Sequence, residues 1–271
     1  MVSVLKVLKD LLIGCQPEAA KYLLPSSIYR GRVRVRGVTI PLPQAKVMRE
    51  AVFTQSYCLI RDNAFKYIAK NLRPEYILDL GASYGIVAAN YALTYPGAKV
   101  LAFEPDPHGY AYAKSLMDIN RMENVSLFNV AVDAREGTRD MYVSRERCEH
   151  SSFYRNETNT GGNSDVVRVQ CIDIAEFIRA RDIDRVGILK MDIEGAEFSV
   201  FEHLDRQRLW TIVDNVFAEV HLDYDNREKT RLSSLVRILE DNGFFLKIHS
   251  TGSDARLSRL LLWGSKDAIL S

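Results

Sequence analysis

Asp79-Leu80-Gly81-Ala82-Ser83-Tyr84-Gly85 is the stretch on which the reading of this chain turns. Ahead of it, Tyr76-Ile77-Leu78-Asp79-Leu80 is a short apolar run of strand length, and from Ile86 to about Tyr95 apolar residues recur at helical spacing. Strand, glycine-bearing turn and helix in that order make a place where backbone approaches a ligand closely and helix N–H groups point outward. A dinucleotide fold would carry G-x-G-x-x-G here for its pyrophosphate. Only Gly81 and Gly85 are present, and position 83 is Ser. The ligand expected at this turn therefore lacks a pyrophosphate.

Working outward, Lys99 to Phe103 reads as the second strand, and Glu104-Pro105 follows it directly. In sheets of this kind an acid at that point reaches the hydroxyls of a ribose. A nucleoside without phosphates, bound at the carboxyl edge of a sheet, points to S-adenosylmethionine. Asp79 is left with two readings: it holds the cationic amino-acid end of that molecule, or it caps a helix.

The alternation continues. Asp106-Pro107 opens a helix to about Asn120, and Val125 to Asn129 is a third strand. Asp140 to Ser144 and Val166 to Gln170 read as a strand pair around a polar excursion, about 144–165, of the kind that forms a lid or binding loop. Helices over Asp173–Arg179, Ala196–Leu204 and Arg227–Asp241 then separate strands at Val186–Met191 and Val213–Val220, and Phe244–Ile248 and Leu257–Trp263 close the chain as an antiparallel pair. The predicted class is α/β: a Rossmann-like, doubly wound, seven-stranded, mostly parallel sheet with a C-terminal antiparallel strand. Ahead of it, residues 1–72 read as an N-terminal helical and β extension, a cap. It comprises an amphipathic helix over Met1–Ile13, a basic alternating strand at Arg32–Arg36 and a helical stretch over Gln44–Asn71.

With 47% hydrophobic and 26% charged residues in 271, the composition excludes a disordered or disulfide-scaffold chain. A net charge of +1 gives no reason to expect nucleic acid, and the Arg32–Arg36 stripe is too small a basis for a basic groove. Cys15, Cys58, Cys148 and Cys171 show neither a C-x-x-C pair nor ligand spacing, which suits reduced thiols in a cytoplasmic protein. No stretch reaches the roughly 18 apolar residues of a membrane span. The apolar face of residues 1–13 suits a homodimer contact.

Three blocks give the chain a resemblance to the FkbM-type S-adenosylmethionine-dependent methyltransferases. Asp79-Leu-Gly-Ala-Ser-Tyr-Gly85 is similar to that family's D-[IL]-G-A-N-x-G, Phe103-Glu-Pro105 to its F-E-P, and Leu189-Lys-Met-Asp-Ile-Glu-Gly-Ala-Glu197 to its L-K-[IM]-D-[VI]-E-G-x-E. Asn129-Val-Ala-Val132 and Glu219-Val-His221 agree more weakly, and the likeness covers about residues 50–250. Ser83 departs from the usual Asn while keeping a small polar group. The resemblance implies a class I methyltransferase domain over 73–271 and methyl transfer, usually to a hydroxyl of a sugar, glycan or natural product. Carried over residue by residue, it implies a cofactor site of Asp79, Gly81, Ala82, Ser83, Gly85, Glu104, Pro105 and Asp192, with Val132 and Asp133 beside the adenine. Phe53 and Tyr57 either cover the cofactor or pack in the core.

For the acceptor, Asp192 and Glu194 follow the fourth strand, while Glu219 and His221 end the fifth and, two apart, face the same way. A hydroxyl is a weak nucleophile until it loses its proton, and an imidazole titrates near neutrality, so His221 reads as the base. The other reading has His221 merely bonded to Glu219 or backbone. Asp192 either orients the acceptor or is itself the base, and in a second mechanism Asp192, Glu219 and His221 hold Mg²⁺ or Mn²⁺. Glu197 is expected only to complement a helix dipole. His150 and Ser151-Ser152 reach the substrate or stay solvated. Competing classes are an N- or peptide-directed methyltransferase, a nicotinamide oxidoreductase, which the missing third glycine opposes, and a non-catalytic adenosine-binding scaffold.

Overall fold

Strand β4 (Tyr76–Leu80) is buried over its last four residues because it lies inside a seven-stranded sheet rather than at its edge. The computed structural model describes residues 28–29, 32–35, 37–41, 72–144, 151–153, 164–222, 228–250 and 259–267. The two expected helices of the N-terminal extension, Phe53, Tyr57 and His150 all lie outside them.

On one side of β4 run β5 (Lys99–Phe103) and β6 (Val125–Phe128), and on the other β10 (Val186–Met191) and β11 (Asn215–His221), all parallel. β13 (Arg259–Ser265) inserts antiparallel between β11 and β12 (Phe245–Ser250), giving the order β12-β13-β11-β10-β4-β5-β6. The chain thus winds outward from β4 in one direction and resumes at β10 in the other. A crevice at the carboxyl ends of β4 and β10 follows from that reversal, and there such sheets bind ligands. The α/β doubly wound class and the final antiparallel strand read from sequence are both present.

Helices cover both faces, which is why the central strands are apolar without alternation. Helices α1 (Ile86–Thr94) and α2 (Pro107–Asn120) bury Ile86, Tyr91 and Leu116 with Ile77 on one face. On the other, α3 (Ile174–Arg179), α4 (Glu197–Arg206) and α5 (Glu228–Asp241) pack Ile174, Phe201 and Leu235 against Leu78 and Leu189. The start of α2 was legible: Asp106 accepts from the backbone N–H of His108 and Gly109, and Pro107 needs no donor of its own.

Two smaller sheets flank this core. β1 (Ile28–Tyr29), β2 (Arg32–Val35) and β3 (Val38–Pro41) form an antiparallel sheet. β3 buries Val38 and Ile40 in the α1–α2 layer, and its Thr39 exchanges backbone hydrogen bonds with the Asn120 side chain. β8 (Gly137–Ser144) and β9 (Ser164–Asp173) are the expected strand pair, longer at the near ends, with β7 (Ala131–Asp133) added parallel to β9. No helix among the described residues is long and apolar enough to cross a membrane.

Candidate active site

β4 ends at Leu80, and the turn that follows holds Gly81 at φ +79° and Ser83 at φ +49°. The N–H groups of Gly81 and Ala82 both donate to the Phe103 carbonyl, at 3.1 and 2.8 Å, tying the turn to the end of β5. A Cβ on Gly81 would lie 1.7 Å from the backbone oxygen of Asp192, so only glycine lets the turn cross the loop after β10. Gly85 is also tight against α2, though less so: a Cβ there would come within 2.8 Å of that of Ala113.

Glu104 is buried beside this turn. Its Oε2 accepts from the Ser83 N–H at 2.6 Å and its Oε1 from the Asp106 N–H at 2.8 Å. Burial outweighs those two donors and pushes the carboxyl up to about 8. An ionised carboxylate offers about four lone-pair sites. Two are committed here, which leaves acceptors for a vicinal diol, so the donor set fits the ribose of S-adenosylmethionine. Pro105 and Glu104 are held from the neighbouring strand end, their carbonyls accepting from Asn129 Nδ2 at 3.1 and 2.8 Å. Ala82 is buried, so what it offers a ligand is backbone.

Beneath the turn lies a buried ion pair. Asp79 on β4 stands directly opposite Lys190 on β10, and Lys190 Nζ is 3.2 Å from Asp79 Oδ1. The same Nζ donates to the carbonyls of Gly81 and Leu80 and lies 3.9 Å from Asp192 Oδ2. Burial would lower Lys190, but Asp79 and Asp192 raise it overall and keep it charged. Burial also raises Asp79, against the pull of Lys190. Both readings of Asp79, cofactor cation and helix cap, lacked this partner.

The acceptor edge is built from side chains. His221, 2% exposed at the end of β11, places Nδ1 3.0 Å from Glu197 Oε1 and Nε2 3.3 Å from Glu194 Oε2, with Glu219 Oε1 at 3.9 Å. Glu197 does open a helix as expected, but it is fully buried and also accepts the backbone N–H groups of Ile193 and Gly195. It closes the loop that carries Asp192 and Glu194 onto His221. Burial would drive the imidazole down, yet Glu194, Glu197 and Asp192 hold it up to about 10, so it carries a proton at neutral pH. The most open carboxylate of the group is Asp192, whose side chain is 34% exposed.

Asp192, Glu197 and His221 each present a ligand atom, all within 4.8 Å of one another, so Glu197 takes the place that the sequence reading gave Glu219. A metal at this group would have to displace the proton that His221 shares with Glu194 and Glu197, and to compete with the two backbone N–H groups that Glu197 accepts.

Val132 turns its side chain into the core. Asp133 bonds the Ala134 N–H, Arg139 and Ser199 within the small-sheet region. Ser151 and Ser152 are buried rather than solvated. Ser151 Oγ donates to Asp106 Oδ2 at 2.7 Å and Ser152 Oγ to the Glu194 carbonyl at 2.8 Å, so this strap joins the cofactor and acceptor edges. The sequence reading missed Lys190, although a lysine inside the otherwise apolar Val186–Met191 was a visible signal.

The strand order and the glycine turn after the first central strand are those of the class I S-adenosylmethionine-dependent methyltransferase fold. A solved structure of that kind, the SAM-dependent methyltransferase from Agrobacterium tumefaciens, shares the fold with a TM-score of 0.52 at 11% identity, over 87% of this chain and 70% of that one. The family model for the methyltransferase FkbM domain matches residues 79–246, and the chain belongs to that family. Among its relatives are the 31-O-demethyl-FK506 methyltransferase FkbM of Streptomyces tacrolimicus, 26% identical over 74% of this chain and 82% of that protein, and Methyltransferase 1 of Beauveria bassiana (strain ARSEF 2860), 23% identical over 64% and 73%.

Proposed function

We propose that the protein transfers the methyl group of S-adenosylmethionine to a hydroxyl oxygen of a small natural product, sugar or glycan. The observation that carries this reading is the contact between the two halves of the site: the Asp192 backbone lies against Gly81, and its carboxylate is the open acid next to the cofactor turn. The relative from Streptomyces tacrolimicus, named for a 31-O-demethyl substrate, supports oxygen as the acceptor atom.

The cofactor supplies an electrophilic methyl on a sulfonium, so the protein has to orient the partners and remove one proton. Glu104 takes the ribose hydroxyls, and the turn from Gly81 to Gly85 offers backbone to the rest. Asp192 receives the acceptor hydroxyl and is the base, a role worth about 10²–10⁴-fold. His221, already protonated, is no base at neutral pH; it anchors Glu194 and Glu197 and so fixes the Asp192 loop. Residues 73–271 form the catalytic domain and residues 1–72 its cap, and between β8 and β9 Ser152 lies against the acceptor edge. Cys171, a buried free thiol, accords with a cytoplasmic setting.

Thermal unfolding with saturating S-adenosylhomocysteine tests the cofactor half, with NAD as control. Ligand at about 100 times its dissociation constant adds roughly 2.7 kcal/mol, or roughly 5–10 °C for a domain of this size. A rise with S-adenosylhomocysteine alone, followed by methylation within a panel of hydroxylated acceptors, is the expected result. No rise on folded protein would overturn the reading.

A further inference from the structure

We propose that Lys190 is a positioning residue that pins the glycine turn and Asp192 to each other, holding the cofactor and acceptor halves of the site at one spacing. A lysine is an expensive residue to place in β10, which is buried at every position. Neutralising Asp79 would need only one of its three N–H groups. The others go to the two carbonyls at which β4 ends: Nζ donates to Gly81 O and approaches Leu80 O at 3.4 Å. Leu80 O also accepts the Asp192 N–H at 3.0 Å, and Lys190 Nζ faces the Asp192 carboxylate at 3.9 Å. Gly81 is thus held on both sides, its N–H on Phe103 O and its C=O on Lys190, while its Cα lies against the Asp192 carbonyl. One ammonium group touches the turn, the strand end beneath it and the proposed base.

The methylation arm of the test rests on the function proposed above, and the exchange arm does not. Lys190→Met alone leaves Asp79 buried without its cation, so it is paired with Asp79→Asn to remove both charges. If Lys190 only neutralised Asp79, the double variant would behave as the unsubstituted protein. The expected result is a double variant with a thermal midpoint well above that of Lys190→Met. In ligand-free protein its amides at Gly81, Ala82 and Ser83 exchange with deuterium about tenfold faster or more. Its S-adenosylhomocysteine affinity falls about tenfold or more, with kcat reduced as well as KM for the cofactor raised. Wild-type exchange rates in the double variant would overturn the proposal whether or not the protein is a methyltransferase. A double variant as unstable as the single one would also overturn it, since the pair would then serve the fold and not the spacing. Failure of the unsubstituted protein to bind S-adenosylhomocysteine would sink the functional reading and leave the exchange comparison standing.

Discussion

The two edges of the crevice are built from different materials. Around the cofactor turn nearly every contact involves backbone: Gly81 and Ala82 on the Phe103 carbonyl, Ser83 and Asp106 N–H groups on Glu104, Asn129 on two carbonyls. At the acceptor edge the contacts run between ionisable side chains, with His221 among Glu194, Glu197 and Glu219. A backbone-built edge depends on conformation, and so on its glycines and on the few side chains, such as Glu104 and Lys190, that hold that backbone. A charge-built edge depends on having every partner. The sharpest test of the first half is Gly81→Ala, whose Cβ meets the Asp192 carbonyl at φ +79°. We expect a loss of about 4 kcal/mol or more, from left-handed backbone and overpacking together, with no measurable cofactor binding. Gly243→Ala is the control: its φ is +83°, but nothing lies within 4 Å, so only about 1 kcal/mol should be lost in a urea titration. Equal losses would mean that the crossing at Asp192 is not tight.

The corresponding test of the charged edge is Glu197→Gln. The amide keeps the shape but sets an NH₂ against backbone donors and leaves His221 with one close carboxylate fewer. Breaking a buried pair in this way costs about 3 kcal/mol. On protein that remains folded, S-adenosylhomocysteine affinity should stay within about twofold while turnover collapses. Loss of cofactor affinity instead would show that the two edges are not separable.

The same contrast explains what was legible in the sequence. The strands of the seven-stranded sheet, the turn and the Asp106-Pro107 cap are written in local spacing and residue type, and these placed them, whereas β1 and β3 went unread. β7 was missed because three residues carry no period. The Lys190–Asp79 pair depends on the register of β10 against β4, which joins residues more than a hundred positions apart, and nothing local encodes a register. His221 was read at its ordinary pKa as a base. Its proton is fixed by Glu194, held at φ +51°, and by Glu197 across the loop, a geometry that spacing does not reveal. Tyr57 and the helices expected in the cap lie outside the described residues.

A titration separates the edges further. Glu104 is raised from 4.5 to about 8, so in the free protein this carboxyl favours the folded state at low pH, and that advantage is lost as pH rises through 8. A diol that donates to the ionised form reverses the preference, and binding below pH 8 must expel a proton. Affinity for S-adenosylhomocysteine is expected to fall about tenfold or more from pH 8 to pH 6. Calorimetry in buffers of different ionisation enthalpy should show proton release near pH 7. Glu104→Gln should bind more weakly and lose the pH dependence. A flat wild-type profile would mean that the diol does not meet this carboxylate.

The smallest effects should come from the strap that touches both edges. Ser151 is tied to Asp106, whose backbone N–H holds Glu104, and Ser152 to the carbonyl of Glu194, whose carboxylate faces His221. Each hydroxyl is one buried hydrogen bond, so alanine at either should cost about 1 kcal/mol. The stability losses should therefore be alike and the functional ones opposite in kind. Ser151→Ala loosens the carboxylate that caps α2, and it should raise KM for the cofactor about two- to fivefold with little change in kcat. Ser152→Ala loosens the left-handed corner at Glu194 and should act on kcat and on KM for the acceptor. Measuring both pairs of constants on both variants decides the matter: the same pattern in each would show that the strap moves as one body, and that the two edges meet through it as well as through Asp192 and Gly81.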